Sequence, residues 1–238
     1  MKPIFWFFHG FLGQSSDGAL FNSLSEEIDV RLFPLSDWLS KKNKISFKNI
    51  GPLLLSEIQK AGAPGTPHIL AGYSLGGRIA AHLFLARPDF FSHLFLFSTH
   101  LGLSAESDKS IRRENDRKWA IRFLNEPWDQ VILDWMSQPV FEGQSKIERP
   151  ESAFDRMILA KMLNELSLGN QDFLIHPISL LSNILKFVYG ERDSKFMSLA
   201  HEYHKVGIPI FEIKKASHRI LSDQSEAVLK FVRTTLMI

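Results

Sequence analysis

The chain has 238 residues, 45% of them hydrophobic and 23% charged, which is enough apolar material for one large domain with a full core, or a core plus a cap. Its 28 basic and 26 acidic side chains nearly cancel, and a formal net charge of +2 argues against a dedicated nucleic-acid or anionic-membrane binder. There is no cysteine, so disulfides, thiolate catalysis and cysteine-type zinc sites are excluded.

Residues 4–8, Ile-Phe-Trp-Phe-Phe, read as a buried strand, because aromatic and β-branched residues suit one. The run is too short for the apolar stretch of a secretion signal, His9-Gly10 breaks it, and no small-residue cleavage site follows. No stretch approaches a transmembrane helix in length, so a soluble, cytoplasmic protein without membrane insertion is expected. A helical pattern covers 19–27, a second strand 30–33 is closed by Pro34, and 47–59 is helical. After a turn-rich connector at 61–67 come a strand at 69–72, a helix at 75–86 and a strand at 93–98. Between 99 and 183 only helical patterns occur, at 111–124, 128–136, 154–166 and 173–181. The chain then returns to strand 185–189, helix 195–204, strand 208–213 and helix 224–237. Strand-helix alternation with runs this apolar predicts an α/β fold: roughly six mainly parallel strands with helices on both faces. The expected organisation is a core of residues 1–98 and 184–238, with an all-helical cap, 99–183, inserted over the carboxyl edge of the sheet.

Ligands of open parallel sheets bind beyond the carboxyl ends of the strands, so reactive residues just after a strand matter most. Gly72-Tyr73-Ser74-Leu75-Gly76 follows one strand and opens a helix. That context suits a nucleophile elbow, in which small residues allow a sharp turn that lifts a serine hydroxyl over the sheet end. Gly190-Glu191-Arg192-Asp193 follows the 185–189 strand, and Lys214-Lys215-Ala216-Ser217-His218 follows the last. The order Ser74, Asp193, His218 is that of the α/β-hydrolase fold. His218 would take the serine proton, and Asp193 would fix the imidazole tautomer. Glu191 is an alternative acid, and Asp193 could instead cap the following helix. His9-Gly10-Phe11-Leu12-Gly13 lies after the first strand, where this fold supplies its second oxyanion donor, so the backbone N–H groups of Phe11 and Leu75 are the candidate oxyanion hole. His201 and His204 stand three apart on a helix, but no third ligand accompanies them, and neither a metal nor a cofactor is expected.

Several segments together resemble one family. They are Gly72-Tyr73-Ser74-Leu75-Gly76-Gly77-Arg78, Gly190-Glu191-Arg192-Asp193-Ser194-Lys195-Phe196 and Arg112-Arg113-Glu114-Asn115-Asp116-Arg117-Lys118-Trp119. Asp134-Trp135, Gln138-Pro139-Val140-Phe141 and Ser167-Leu168-Gly169-Asn170-Gln171 extend the match through core and cap. The chain is similar here to the 2-succinyl-6-hydroxy-2,4-cyclohexadiene-1-carboxylate synthases of menaquinone biosynthesis, which have an α/β-hydrolase fold but perform an elimination. The resemblance implies a lyase that uses a serine-histidine-aspartate triad to remove a ring proton, after which pyruvate leaves. It implies a small polycarboxylate substrate, with Arg78, Arg112 and Arg156 binding carboxylates and Tyr73 and Trp135 lining the pocket. Guanidinium groups can grip carboxylates bidentately, in keeping with that assignment. The chain departs from the family pattern where it begins, at the strand leading into His9-Gly10, so the first hairpin usual in this fold is expected to be absent. It departs again at Phe33-Pro34-Leu35-Ser36-Asp37, after Phe141, and at Ala216-Ser217-His218-Arg219. A serine hydrolase of carboxylic esters or carbon–carbon bonds, working through an acyl-enzyme, is the alternative, and a catalytically silent binding protein on the same fold is a third reading.

Overall fold

A computed structural model describes residues 1–141, 148–181 and 183–238. Of the expected insert 99–183, positions 142–147 and 182 therefore lie outside the described residues. The strands are β1 (Ile4–Phe8), β2 (Asp29–Leu32), β3 (His68–Tyr73), β4 (Phe91–Phe97), β5 (Leu185–Gly190) and β6 (Ile210–Ile213). The helices are α1 (Leu35–Ser40), α2 (Phe47–Ile58), α3 (Leu75–Ala86), α4 (Glu106–Asn125), α5 (Trp128–Met136), α6 (Arg156–Glu165), α7 (Ile175–Ser179), α8 (Ser194–Lys205), α9 (Ile220–Asp223) and α10 (Ser225–Leu236). The six strands form one sheet in the order β2-β1-β3-β4-β5-β6, with every neighbouring pair parallel.

Both faces of that sheet are buried, and the period-two alternation of each strand divides its side chains between them. Trp6 and Phe8 of β1 and Leu94 and Leu96 of β4 meet α2, α3 and α8 on one side. Phe5, Phe7, Phe95 and Phe97 meet Phe21, Val228 and Val232 on the other. Between β4 and β5 the described residues form no strand. There α4, α5 and α6 build a separate small core from Phe123, Trp128, Val131, Trp135, Leu159 and Leu163.

Four differences from the sequence reading have local causes. The helix expected at 19–27 is a 3-10 helix, Ser15–Leu24, started by the Asp17 carboxylate accepting the Gln14 N–H. Helix α6 begins at Arg156 and not at 154, because the Asp155 carboxylate accepts from the Met157 and Ile158 amides and fixes the start there. Strand β6 starts at Ile210, just beyond Pro209, which has no N–H to give the ladder. Helix α1, unanticipated, follows Pro34 and buries Leu35, Trp38 and Leu39.

Candidate active site

The glycine-flanked turn joins β3 to α3. Ser74 holds φ 52° and ψ −113°, a backbone that L-residues avoid. It is pinned from both sides: its N–H donates to the Phe97 carbonyl at 2.9 Å, and its carbonyl accepts from Arg78 N–H at 3.1 Å. The glycines are steric requirements. A Cβ on Gly72 would stand 2.4 Å from the Gly76 carbonyl oxygen, and one on Gly76 would stand 2.1 Å from that of Phe8. Helix α3 thus lies directly on β1 and β3, and Ser74 is pushed past the strand ends.

Two other strand ends bring Asp193 and His218 together. Asp193 caps α8, its Oδ1 accepting the Phe196 N–H at 3.2 Å, while its Oδ2 lies 2.8 Å from His218 Nδ1. Both side chains are almost fully buried. A carboxylate at Nδ1 keeps the proton there and leaves Nε2 as the working nitrogen. Phe196 and Tyr73 pack on the imidazole, with ring centroids 4.8 and 5.5 Å away. Glu191, the alternative acid, turns to the surface, where Lys214 Nζ (3.1 Å) and the Lys215 N–H (2.8 Å) hold it.

Ser74 and His218 line the same cavity, of about 480 Å³. Phe11, Leu75, Tyr73 and Trp135 line it as well. Leu75 is the first residue of α3, so its amide is a donor with no acceptor inside the helix, at the positive end of the helix dipole. Phe11 sits in a turn closed by Gly13 N–H donating to the Gly10 carbonyl at 3.1 Å. Its ring meets Trp135 at 4.7 Å, which ties this turn to α5. Burial pushes the Tyr73 phenol pKa up.

Cations gather in one part of the wall. Arg78 is buried. It donates to the Leu166 carbonyl at 3.1 Å and lies 5.3 Å over the Phe47 ring. Burial first, and then the facing Arg112, push its pKa down to about 9. Arg112 lines the cavity with its Nε 2.9 Å from both Asp116 carboxylate oxygens. Arg156 is not brought to the cavity. Its guanidinium is spent on the Phe123 and Glu126 carbonyls (2.9 and 2.7 Å) and on Glu151 (2.6 Å), with Trp128 beneath it.

The structure adds residues that sequence reasoning missed. Lys195 lines the cavity, and its pKa is lowered by burial and then by Arg112. It stands in the Gly190–Phe196 run, but only its place beside Asp193 signalled it. Ser98 and His100 follow β4, where the rule of strand ends applies equally. Ser98 has φ 44°, is completely buried in the cavity wall, and its hydroxyl has no hydrogen-bond partner among the described residues. His201 and His204 are exposed on α8, and among the described residues no group of three or more His, Asp or Glu side chains is arranged to hold a metal ion.

Comparison with known proteins gives two kinds of likeness. A 2-succinyl-6-hydroxy-2,4-cyclohexadiene-1-carboxylate synthase of Yersinia enterocolitica is 31% identical over 221 residues, 88% of this chain and 78% of the relative. The Yersinia pestis enzyme of the same name is 36% identical over 155 residues, 63% of this chain and 56% of its own length. Among solved structures, MenH from S. aureus superposes with a TM-score of 0.84 at 22% identity, covering 99% of this chain and 93% of that one. A thermophilic esterase from Thermogutta terrifontis superposes at 0.73 and 18% identity, covering 100% and 90%. These two share the α/β-hydrolase fold. No family model matches the chain.

Proposed function

Because the chain belongs to the 2-succinyl-6-hydroxy-2,4-cyclohexadiene-1-carboxylate synthase family of α/β-hydrolase-fold enzymes, we propose that it eliminates pyruvate from 2-succinyl-5-enolpyruvyl-6-hydroxy-3-cyclohexene-1-carboxylate. In this reading residues 99–183 are the cap that closes the site. His218 Nε2 draws the proton from Ser74 Oγ, and Asp193 stabilises the imidazolium. The serine oxygen removes the ring proton beside the succinyl carbonyl. The electron pair of that C–H bond moves into the carbonyl, where the amides of Phe11 and Leu75 stabilise the developing oxyanion. The pair then returns to form a ring double bond at the deprotonated carbon, the existing ring double bond shifts by one carbon toward the enolpyruvyl-bearing carbon, and the C–O bond there breaks, giving the conjugated diene. The enolate that leaves takes up a proton at carbon and becomes pyruvate, so no co-reactant is needed. Arg78, Arg112 and Lys195 hold the substrate carboxylates, and Tyr73 and Trp135 shape the apolar walls. Arg156 falls outside this set, since it clasps the cap's own backbone.

The observation that carries this reading is the cationic wall on the cavity that also holds Ser74 and His218. A hydrolase of neutral esters has no use for a buried arginine, a half-buried one and a lysine converging on one wall of its cavity. The test is pyruvate release from the enolpyruvyl substrate, followed through lactate dehydrogenase and NADH. Wild-type protein should turn over, and Ser74→Ala should lose at least about 10³-fold in kcat. Fast p-nitrophenyl ester hydrolysis without pyruvate would establish the acyl-enzyme alternative. Equal behaviour of the Ser74→Ala variant and wild type would establish the silent binding protein.

A further inference from the structure

His100 stands three residues past β4 on the cavity wall, and the mechanism above does not use it. Its Nδ1 lies 3.1 Å from the Gly102 amide, which can only donate. Nδ1 is therefore an acceptor, and the ring proton belongs on Nε2. The loop is fixed on both flanks. The His100 carbonyl accepts from Gln171 Nε2 at 3.2 Å, and the next amide, Leu101 N–H, donates to the buried Tyr203 hydroxyl at 2.9 Å. Gly102 adopts φ 106°, and a Cβ there would stand 2.3 Å from the Asp172 carbonyl oxygen, so the turn that aims its N–H at His100 needs glycine.

The groups that face this imidazole are positive: Lys195 from α8, Arg78 from α3 and Arg112 from α4. Burial first, and then these three, push its pKa down to about 3. The Gly102 N–H works in the same direction, because it can bond only the neutral ring. An uncharged N–H donor is thus held among three cations that share the cavity with it.

We infer that His100 is a specificity-determining residue, donating a neutral hydrogen bond from Nε2 to an anionic oxygen of the substrate that Arg78, Arg112 and Lys195 attract. The inference rests on the elimination proposed above for the identity of that substrate. The cations supply long-range attraction for any carboxylate. A tautomer-locked imidazole adds direction without adding charge, so it selects for where an oxygen sits. It also adds no further positive charge to a crowded wall, which would disfavour the empty site.

The test replaces His100 with leucine, which fills the space without a donor, and with glutamine, whose amide Nε2 lies near the position of the imidazole Nε2. Calorimetric titration with 2-succinylbenzoate, an aromatic dicarboxylate with the same ring-plus-succinyl skeleton, measures binding apart from catalysis. Pyruvate release supplies KM and kcat. His100→Leu should weaken 2-succinylbenzoate and raise KM roughly tenfold to a hundredfold, the loss expected for a hydrogen bond to a charged acceptor, with a much smaller change in kcat. His100→Gln should recover most of that loss. Unchanged dissociation constants in His100→Leu, or equal losses in the leucine and glutamine variants, would overturn the assignment. Wild-type protein that binds 2-succinylbenzoate but releases no pyruvate would overturn the proposed reaction, while the binding arms would still decide on His100.

Discussion

Arg78→Met separates what this residue does for the fold from what it does for the substrate. Burial first, and then the facing Arg112, lower the Arg78 pKa from the usual guanidinium range to about 9, and at about 1.4 kcal/mol per pKa step the charge in these surroundings costs the folded state roughly 5 kcal/mol. The sign follows from linkage. The folded pKa lies below the unfolded one, so the cost is present in full below about pH 9 and is relieved only as the pH climbs further. Methionine removes that cost but has two of its own. The Leu166 carbonyl loses its donor, worth about 1–3 kcal/mol. The contact over Phe47 is worth about 1 kcal/mol, part of which a thioether regains. The net expectation is a protein more stable by roughly 1–3 kcal/mol at pH 7, measured by urea denaturation. The same variant should lose about 10²-fold in kcat/KM for pyruvate release, since a bidentate guanidinium–carboxylate contact is lost. Arg78→Lys should keep the burial cost and still lose the fork geometry. A variant Arg78→Met less stable than wild type, or one as active, would refute the reasoning.

Asp193→Asn and Asp193→Ala should differ in a diagnostic way. Both should lower kcat by roughly 10³–10⁴-fold by upsetting the His218 tautomer. Only the alanine variant also removes the acceptor for the Phe196 N–H, so it alone should lose a further ~1 kcal/mol of stability in urea. Acid should unfold the protein early. His82 and His100 are pushed down by burial to about 4 and about 3, so between those values and 6.5 the unfolded chain binds protons that the folded chain refuses. Stability therefore falls as the pH drops below 6.5, by roughly 2 kcal/mol for each histidine at pH 5. Urea midpoints at pH 7 and pH 5 measure the loss, to which the buried His9 and His68 and the half-buried His93 add in the same direction, and His82→Gln should remove the His82 share of roughly 2 kcal/mol. Equal midpoints at the two pH values would contradict the burial of these rings as neutral groups.

Much of this architecture is written in the sequence where a steric or periodic demand leaves few residue choices. Gly72 and Gly76 face backbone carbonyls at distances that no side chain survives, so the elbow is legible as glycines. The strands are legible because both faces of a parallel sheet need apolar residues, and Phe5, Phe7, Phe95 and Phe97 oblige. Helix α1 was not legible: Leu35, Trp38 and Leu39 have the i, i+3, i+4 spacing, but six residues are too short a window to tell it from chance, and the core they enter holds the turn. Among the functional candidates, an arginine at a helix start looks the same whether it faces a ligand or carbonyl groups. Arg156 takes the second course, held by the Phe123 and Glu126 carbonyls. Ser98 and His100 belong to no motif; their place after β4 marks them only as strand-end residues, and the cavity shows that they reach the site.

The charges around the cavity also bear on how a polyanion would lie in it. Among the described residues, Arg78, Arg112 and Lys195 are offset locally by Asp116 and, at Lys195, by Asp193, which leaves a net positive charge in that part of the wall. Elsewhere on the same wall Arg149 is matched by Asp17 at 2.9 Å, and Arg219 lies in the field of Asp223 and Asp17 beside Tyr73. That part is close to neutral. A molecule with several carboxylates is therefore drawn to one end and not held equally at both, which fixes which of its carbons approaches Ser74. If so, orientation and not only affinity depends on the imbalance. Charge reversal at Asp116 should then cost less in binding than in turnover, because an added cation attracts the substrate while blurring the position it takes. Measuring KM and kcat for Asp116→Lys decides the point: a fall in kcat larger than any rise in KM supports orientation by the field, and a rise in KM with kcat intact refutes it.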